Sequence, residues 1–329
     1  MQIDTIPART RNTWAVSLVI IAALLLAVTP ASLWVRNVVF DTEAWVATVG
    51  PLADNPDIQD AVAKAASDAL ITKLDAQKRI ADLLPNLFGL DKLAPVLAST
   101  LEDAIRSQAT NVVRSEEFGE IWRDINRASH SAVLAAVMGG ERGAASLEDG
   151  TLTLDTGVII DQVKKRLEDR GLGFIVKAPT STMDRQIVLM QSDTLKSVAA
   201  WAKVVRAIAY AIPLFGVLLL AGGVWFAADR QRVAVVFGAA LALFGILPAQ
   251  MVYITQVSAS RSIERLAGIP TAAAEAAFDI IFRDVIASDR YVIYAGLAIL
   301  LVALVAGPYR WAVTLRASVV RALHGDSAV

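Results

Sequence analysis

The chain has 329 residues, 55% of them hydrophobic and 19% charged, with a formal net charge of −1. It is richer in apolar and poorer in charged residues than soluble domains, and its charge balance gives no reason to expect a nucleic-acid partner. Cysteine is absent and histidine occurs only at His130 and His324, which excludes disulfides, thiolate catalysis and cysteine-based zinc sites.

Residues 1–13 form a short N-terminal piece, and Trp14 to Val35 then runs without a charge. A hydrocarbon core about 30 Å thick is crossed by about 20 apolar residues, so 14–35 is the first predicted transmembrane span. It is longer than the roughly 7–15 apolar residues of a cleaved signal peptide, and an uncleaved signal anchor is expected. Cleavage near Pro30-Ala31-Ser32 is the alternative and would leave three spans.

Residues 36–204 predict a mostly helical domain that, without cysteine, must be held by its own core. Asn55-Pro56-Asp57 is a helix start, with a capping Asn, a first-turn Pro and an acid at the positive end of the dipole. Ile58, Val62, Ala65, Ala66 and Ala69 follow as one apolar stripe. A second helix is expected over Leu93 to Val113. A third starts at Ser115, runs through Phe118, Ile121, Trp122, Ile125 and Val133, and stops at Gly139-Gly140. Ser146 to Asp155 alternates leucine with polar residues around Asp149-Gly150, a β-hairpin signal. A short helix carrying Ile160, Val163 and Leu167 then ends at Gly171, and Phe174 to Val176 and Gln186 to Met190 read as strands. Ser192 caps a helix predicted to run unbroken through Trp201 into the second span, which would couple domain to membrane.

The second span covers 205–228, a tight turn 229–232, the third span 233–254 and the fourth 291–312, with a tail over 313–329. Loop 255–290 contains an amphipathic helix starting at Pro270-Thr271. Its apolar face is Ala277, Phe278, Ile281, Phe282 and Val285, and its acidic polar face favours packing on the domain over lying on anionic lipid. With the N-terminus inside, the cytoplasmic side, counted from residue 309 at the end of the fourth span, holds Arg9, Arg11, Arg230, Arg232, Arg310, Arg316 and Arg321 against Asp4, Asp229 and Asp326. That bias places both termini in the cytoplasm and the large domain outside.

The spans carry no ionisable residue at their centres, which argues against a pump or proton-coupled transporter. Pro30, Pro213 and Pro248 could open backbone carbonyls, though packing usually repairs them. Gly238-xxx-Ala242, with Gly245 one turn on, and Ala303-xxx-Gly307 let helices approach closely, either within one bundle or in a homo-oligomer. Glu116, Glu120 and Asp124 share one helix face and could bind a hard cation, but Arg123 and Arg127 stand within reach and read them as a solvated face. Trp122, Asn126 and His130, spaced by four, form a candidate ligand or partner surface, with a capped or half-buried histidine as the simpler reading. Gly171-Leu172-Gly173 lacks the third glycine of a nucleotide loop and the strand–helix order it needs. No GxSxG, Walker A or HExxH pattern occurs, so neither a catalytic residue nor a cofactor or metal site is expected.

The stretches ASLWVRNVVFDTEAWVATVGP (Ala31 to Pro51), VRSEEFGEIWRDINRASHS (Val113 to Ser131), the Asp149-Gly150 hairpin, QSDTL (Gln191 to Leu195), AAAEAAFDIIFRD and AGPYR resemble a group of uncharacterised four-span integral membrane proteins of actinobacteria. The resemblance covers nearly the whole chain. It implies an actinobacterial plasma membrane with the domain facing the cell wall, and it supplies no active-site residues.

The expectation is therefore a mainly α membrane protein whose outer, mostly helical domain is inserted between spans 1 and 2. It would be a non-enzymatic scaffold or sensor, in contact with membrane lipid, that binds a protein, lipid or cell-wall partner. A homo-oligomeric channel or lipid-handling assembly is the alternative, and an outward-facing hydrolase or transferase the third possibility.

Overall fold

A computed structural model describes residues 7–74, 94–138, 145–148, 151–155, 186–190 and 192–323. Its contacts divide the chain into two units, residues 1–37, 203–255 and 282–329 against residues 38–202 and 256–281.

Four helices are long and apolar enough to cross a membrane. The first is α1 (Ala8–Phe40). The second lies in α6 (Ser192–Phe226), which has no break between Lys196 and Arg206. The third is made of α7 (Arg230–Phe244) and α8 (Leu247–Ala267), and the fourth is α10 (Arg283–Ala306). Pro30 and Pro213 sit inside α1 and α6 without interrupting them. Pro248 behaves differently, because the helix is interrupted at Gly245-Ile246, just before it. A proline has no N–H for the carbonyl four residues back and disfavours helical geometry in the residue before it.

In the first unit, Ala15, Val19, Ala22, Ala23 and Ala27 of α1 are fully buried in one cluster with Val233, Phe237 and Leu241 of α7. Short side chains let the backbones approach, which is how helices associate where lipid removes the hydrophobic drive. Gly223 of α6 is similarly placed, since a Cβ there would lie 2.6 Å from Val19 Cγ1. At one end of the unit Asn12 Oδ1 accepts hydrogen bonds from the N–H groups of Ala228 (2.9 Å) and Asp229 (3.0 Å). Asp229 in turn caps α7 by accepting from the Arg232 N–H. The α10 helix runs from Arg283 to Ala306, earlier at both ends than the predicted 291–312. Gly307-Pro308 stops it, and Arg316, on a further helix α11 (Arg310–Leu323), donates to the carbonyls of Ala306 (2.9 Å) and Gly307 (3.0 Å). A cation at a helix C-terminus meets the negative end of the dipole.

The second unit begins where α1 ends. Asp41 caps α2 (Thr42–Val49), accepting from the N–H groups of Glu43 and Ala44, and a 3₁₀ turn follows over Gly50–Asp54. Neither was expected from sequence. Asn55 Oδ1 accepts from Asp57 N (3.0 Å) and Ile58 N (3.2 Å) and opens α3 (Pro56–Leu74). Next come α4 (Ala94–Val113) and α5 (Glu116–Val137), the latter capped by Ser115 Oγ on the Phe118 N–H. Three short strands, β1 (Ala145–Glu148), β2 (Thr151–Asp155) and β3 (Gln186–Met190), pair antiparallel in that order. The turn at Asp149-Gly150, the stop at Gly139-Gly140, the helix before Gly171 and the strand at Phe174 to Val176 lie outside the described residues. Finally α8 ends before Gly268, whose φ of +67° suits glycine. The amphipathic helix α9 (Thr271–Ile281) then lays buried Ala273 and Ala274 onto the unit, where it contacts α2, α3 and the 3₁₀ turn.

Candidate functional site

The three side chains picked out on α5 lie together, and each has a partner inside the second unit. Trp122 donates its indole N–H to the Val49 carbonyl at 2.9 Å and sits beside the Phe118 ring, with centroids 6.2 Å apart. Asn126 donates to the Trp122 carbonyl at 2.9 Å. His130 stacks on Trp45 of α2, with centroids 5.2 Å apart and planes 16° from parallel, and its Nδ1 is 3.1 Å from Thr42 Oγ1. Burial pushes the His130 pKa below the ordinary histidine value, against the backbone of Val38 and Val39 and the charge of Asp41, which favour protonation. The spacing of four thus builds a seam holding α5 to α2, and the imidazole is a neutral ring in that seam.

On the acidic face of the same helix, Arg127 reaches Glu43 with two hydrogen bonds, 2.8 Å and 3.0 Å, and Asp124 at 3.3 Å. The bidentate bond from Arg127 holds the Glu43 carboxyl below its ordinary value. Among the described residues no three acidic or histidine side chains are grouped as metal ligands would be.

In the first unit the small residues lie where α7 meets α10. A Cβ on Gly238 would lie 2.5 Å from the Leu300 nitrogen, and one on Gly296 would lie 2.4 Å from the Ala242 nitrogen. Gly245 faces Val292 and Ile293, Ala303 is buried, and Gly307 lies against Gln231 and Tyr309. Gly238, Ala242, Gly245, Ala303 and Gly307 therefore all serve this contact between two helices of one chain or the turn beyond it.

One group was missed from sequence. Asp289, which the predicted bounds leave in the 255–290 loop, is an interior residue of α10 and only 2% exposed. Its Oδ2 accepts a 2.7 Å hydrogen bond from the N–H of Ala249, in the first turn of α8, and its Oδ1 is buried with no hydrogen-bond partner. An apolar cavity of about 260 Å³ opens at the same corner, lined by Trp34, Leu247, Pro248, Met251, Phe282 and Val285. The fourth apolar helix thus begins earlier than predicted and takes in a buried carboxylate that a reading of the span centres did not cover. Arg290 and Asp284 are exposed and make the segment look like a loop. Periodicity held the signal, because Val285, Asp289, Gly296 and Ala303 are the buried residues of α10.

No protein family, curated protein or solved structure matches the chain.

Proposed function

We propose that this chain is a non-enzymatic protein of the plasma membrane, of the actinobacterial kind its sequence resembles. Its termini lie in the cytoplasm, and its second unit lies outside as a scaffold or sensor that binds a protein, lipid or cell-wall partner. One observation carries the reading: the second unit is assembled from two separate insertions. The α9 helix, between the third and fourth apolar helices, contacts α2 and α3, which lie between the first and second. Two crossings separate these insertions, so membrane parity puts them on one side, as a shared core requires. The arginines Arg9, Arg11, Arg230, Arg232, Arg310, Arg316 and Arg321 fall in the remaining segments and favour those as the cytoplasmic side. Trp122, Asn126, His130 and Arg127 of α5 bond within the unit, a structural role that gives these polar groups to packing rather than to catalysis. The homo-oligomeric channel or lipid-handling assembly ranks second because the small-residue faces it would use are engaged within one chain.

The lack of cysteine makes the test simple. Single cysteines at exposed Ser99 in α4 and Ser318 in α11 are treated with a membrane-impermeant maleimide on intact cells. Ser99→Cys is expected to label at once and Ser318→Cys only after permeabilisation, and the reverse pattern refutes the placement. A photocrosslinker at exposed Ser131 in native membranes is expected to give a discrete adduct with another component, whereas adducts with the chain itself alone would favour the second reading.

A further inference from the structure

The corner of the first unit where α8 begins holds an unexplained carboxylate. Fifteen residues of α7 precede the break, a rise of about 22 Å, so the break lies within the thickness of a hydrocarbon core about 30 Å deep. At that depth an ionisable side chain is costly and is retained where it has a task.

The interruption has local chemistry. Pro248 has no N–H to offer the Phe244 carbonyl, and Ala249 gives its N–H to Asp289 Oδ2 at 2.7 Å instead of to the Gly245 carbonyl four residues back. Two main-chain carbonyls at the end of α7 are thus released from the helical ladder. Asp289 contributes a third oxygen, since its Oδ1 is enclosed without a donor in a residue 98% removed from solvent. An acceptor oxygen left this way in apolar surroundings is unfavourable, and more so when charged. A cation would satisfy it.

We propose that Asp289, with the released carbonyls of the Phe244–Gly245 break, forms an intramembrane site for a monovalent alkali cation. One carboxylate and neutral carbonyls balance a single positive charge, whereas a divalent ion draws on several carboxylates, and no such group occurs among the described residues. Broken transmembrane helices that hold sodium use the same parts, a half-helix C-terminal end with unwound carbonyls. Through Ala249 and Asp289 the ion would hold together α7, α8 and α10, so its binding is read as stability.

The discriminating variant is Asp289→Asn, which keeps an oxygen to accept the Ala249 N–H and removes the charge. Unfolding of the full chain in detergent is followed at fixed ionic strength in sodium, lithium, potassium, calcium or choline chloride. Wild type is expected to melt several degrees higher in at least one alkali chloride than in choline, saturably, and Asp289→Asn to melt at the same temperature in all of them. Equal melting of wild type in every salt, or stabilisation by acid alone, overturns the site and leaves a capping or protonated carboxylate. Stabilisation by calcium alone overturns the monovalent class. Should the variant fail to fold, radiolabelled sodium binding to wild type, competed by unlabelled sodium and lithium, decides the question: no specific binding up to millimolar concentration refutes the proposal.

Discussion

The close backbone contact between α7 and α10 invites a direct perturbation, the addition of one methyl group where the two helices meet. A Cβ on Gly238 would lie 2.5 Å from the Leu300 nitrogen and 2.9 Å from the Gly296 oxygen, and one on Gly296 would lie 2.4 Å from the Ala242 nitrogen and 2.9 Å from the Gly238 oxygen. These neighbours are backbone atoms, so relief requires the helices to separate. Carbon contacts relax at about 3.5–4.0 Å, so the axes must part by about 1 Å, a gap that forfeits up to half of the local dispersion energy. Overpacking of this kind costs about 1–3 kcal/mol, and the better helix propensity of alanine returns about 0.8–1.0 kcal/mol. Gly238→Ala and Gly296→Ala should each destabilise by up to about 2 kcal/mol. The double variant should lose less than the sum, because its second methyl enters a seam already opened. Gly222 is the control: nothing lies within 4 Å of its Cβ position, so Gly222→Ala should be neutral or slightly stabilising. Unfolding in nanodiscs gives the stabilities, and native mass spectrometry gives the subunit number. If Gly238→Ala and Gly296→Ala behave like Gly222→Ala, or change subunit number without loss of stability, the α7–α10 contact within one chain is refuted as the role of these glycines.

Two further outcomes follow from the α2–α5 seam. His130 is held neutral in the fold by burial, so below its unfolded pKa of about 6.5 the unfolded chain binds a proton that the folded chain resists. Its stabilising contribution is complete above that pH and is lost as pH falls towards the lower folded value. His130→Phe should flatten this part of the stability profile between about pH 7 and 5, and parallel profiles for the two proteins would refute the assignment. Trp122→Phe keeps a ring beside Phe118 but leaves the Val49 carbonyl without its indole donor. A loss of about 1 kcal/mol is expected in chemical denaturation, and unchanged stability would show that the bond is idle.

The readings that matched the structure rest on local chemistry. The run from Trp14 to Val35 is helical whatever it touches, Asn55-Pro56-Asp57 carries its own cap, and Glu116-Glu117 opens α5 through the dipole. The short α2 escaped because eight residues with only Val46 and Val49 buried leave too little periodicity. The face of Trp122, Asn126 and His130 was visible, but a stripe at a spacing of four looks the same whether a neighbouring helix or a ligand covers it. Asp289 was hidden by its neighbours, because a sliding average over Arg283, Asp284 and Arg290 reports polarity and discards direction. Pro248 marks the break at Gly245-Ile246 in the sequence, but the acceptor that takes the one N–H of Ala249 is a residue forty positions away.

The dispersed origin of the second unit bears on how the protein is made. Val46, Val49, Leu52 and Ala53 belong to α2 and the adjoining 3₁₀ turn, while Ala273 and Ala274, buried in the same unit, emerge from the ribosome more than two hundred residues later. At about 5–20 residues per second the early half waits on the order of ten to forty seconds, while the second and third apolar helices are synthesised in between. During that interval it carries an uncovered apolar seat for α9. A nascent chain arrested after the third helix would present that seat permanently, a signal by which quality-control proteases could distinguish an unfinished copy from a finished one.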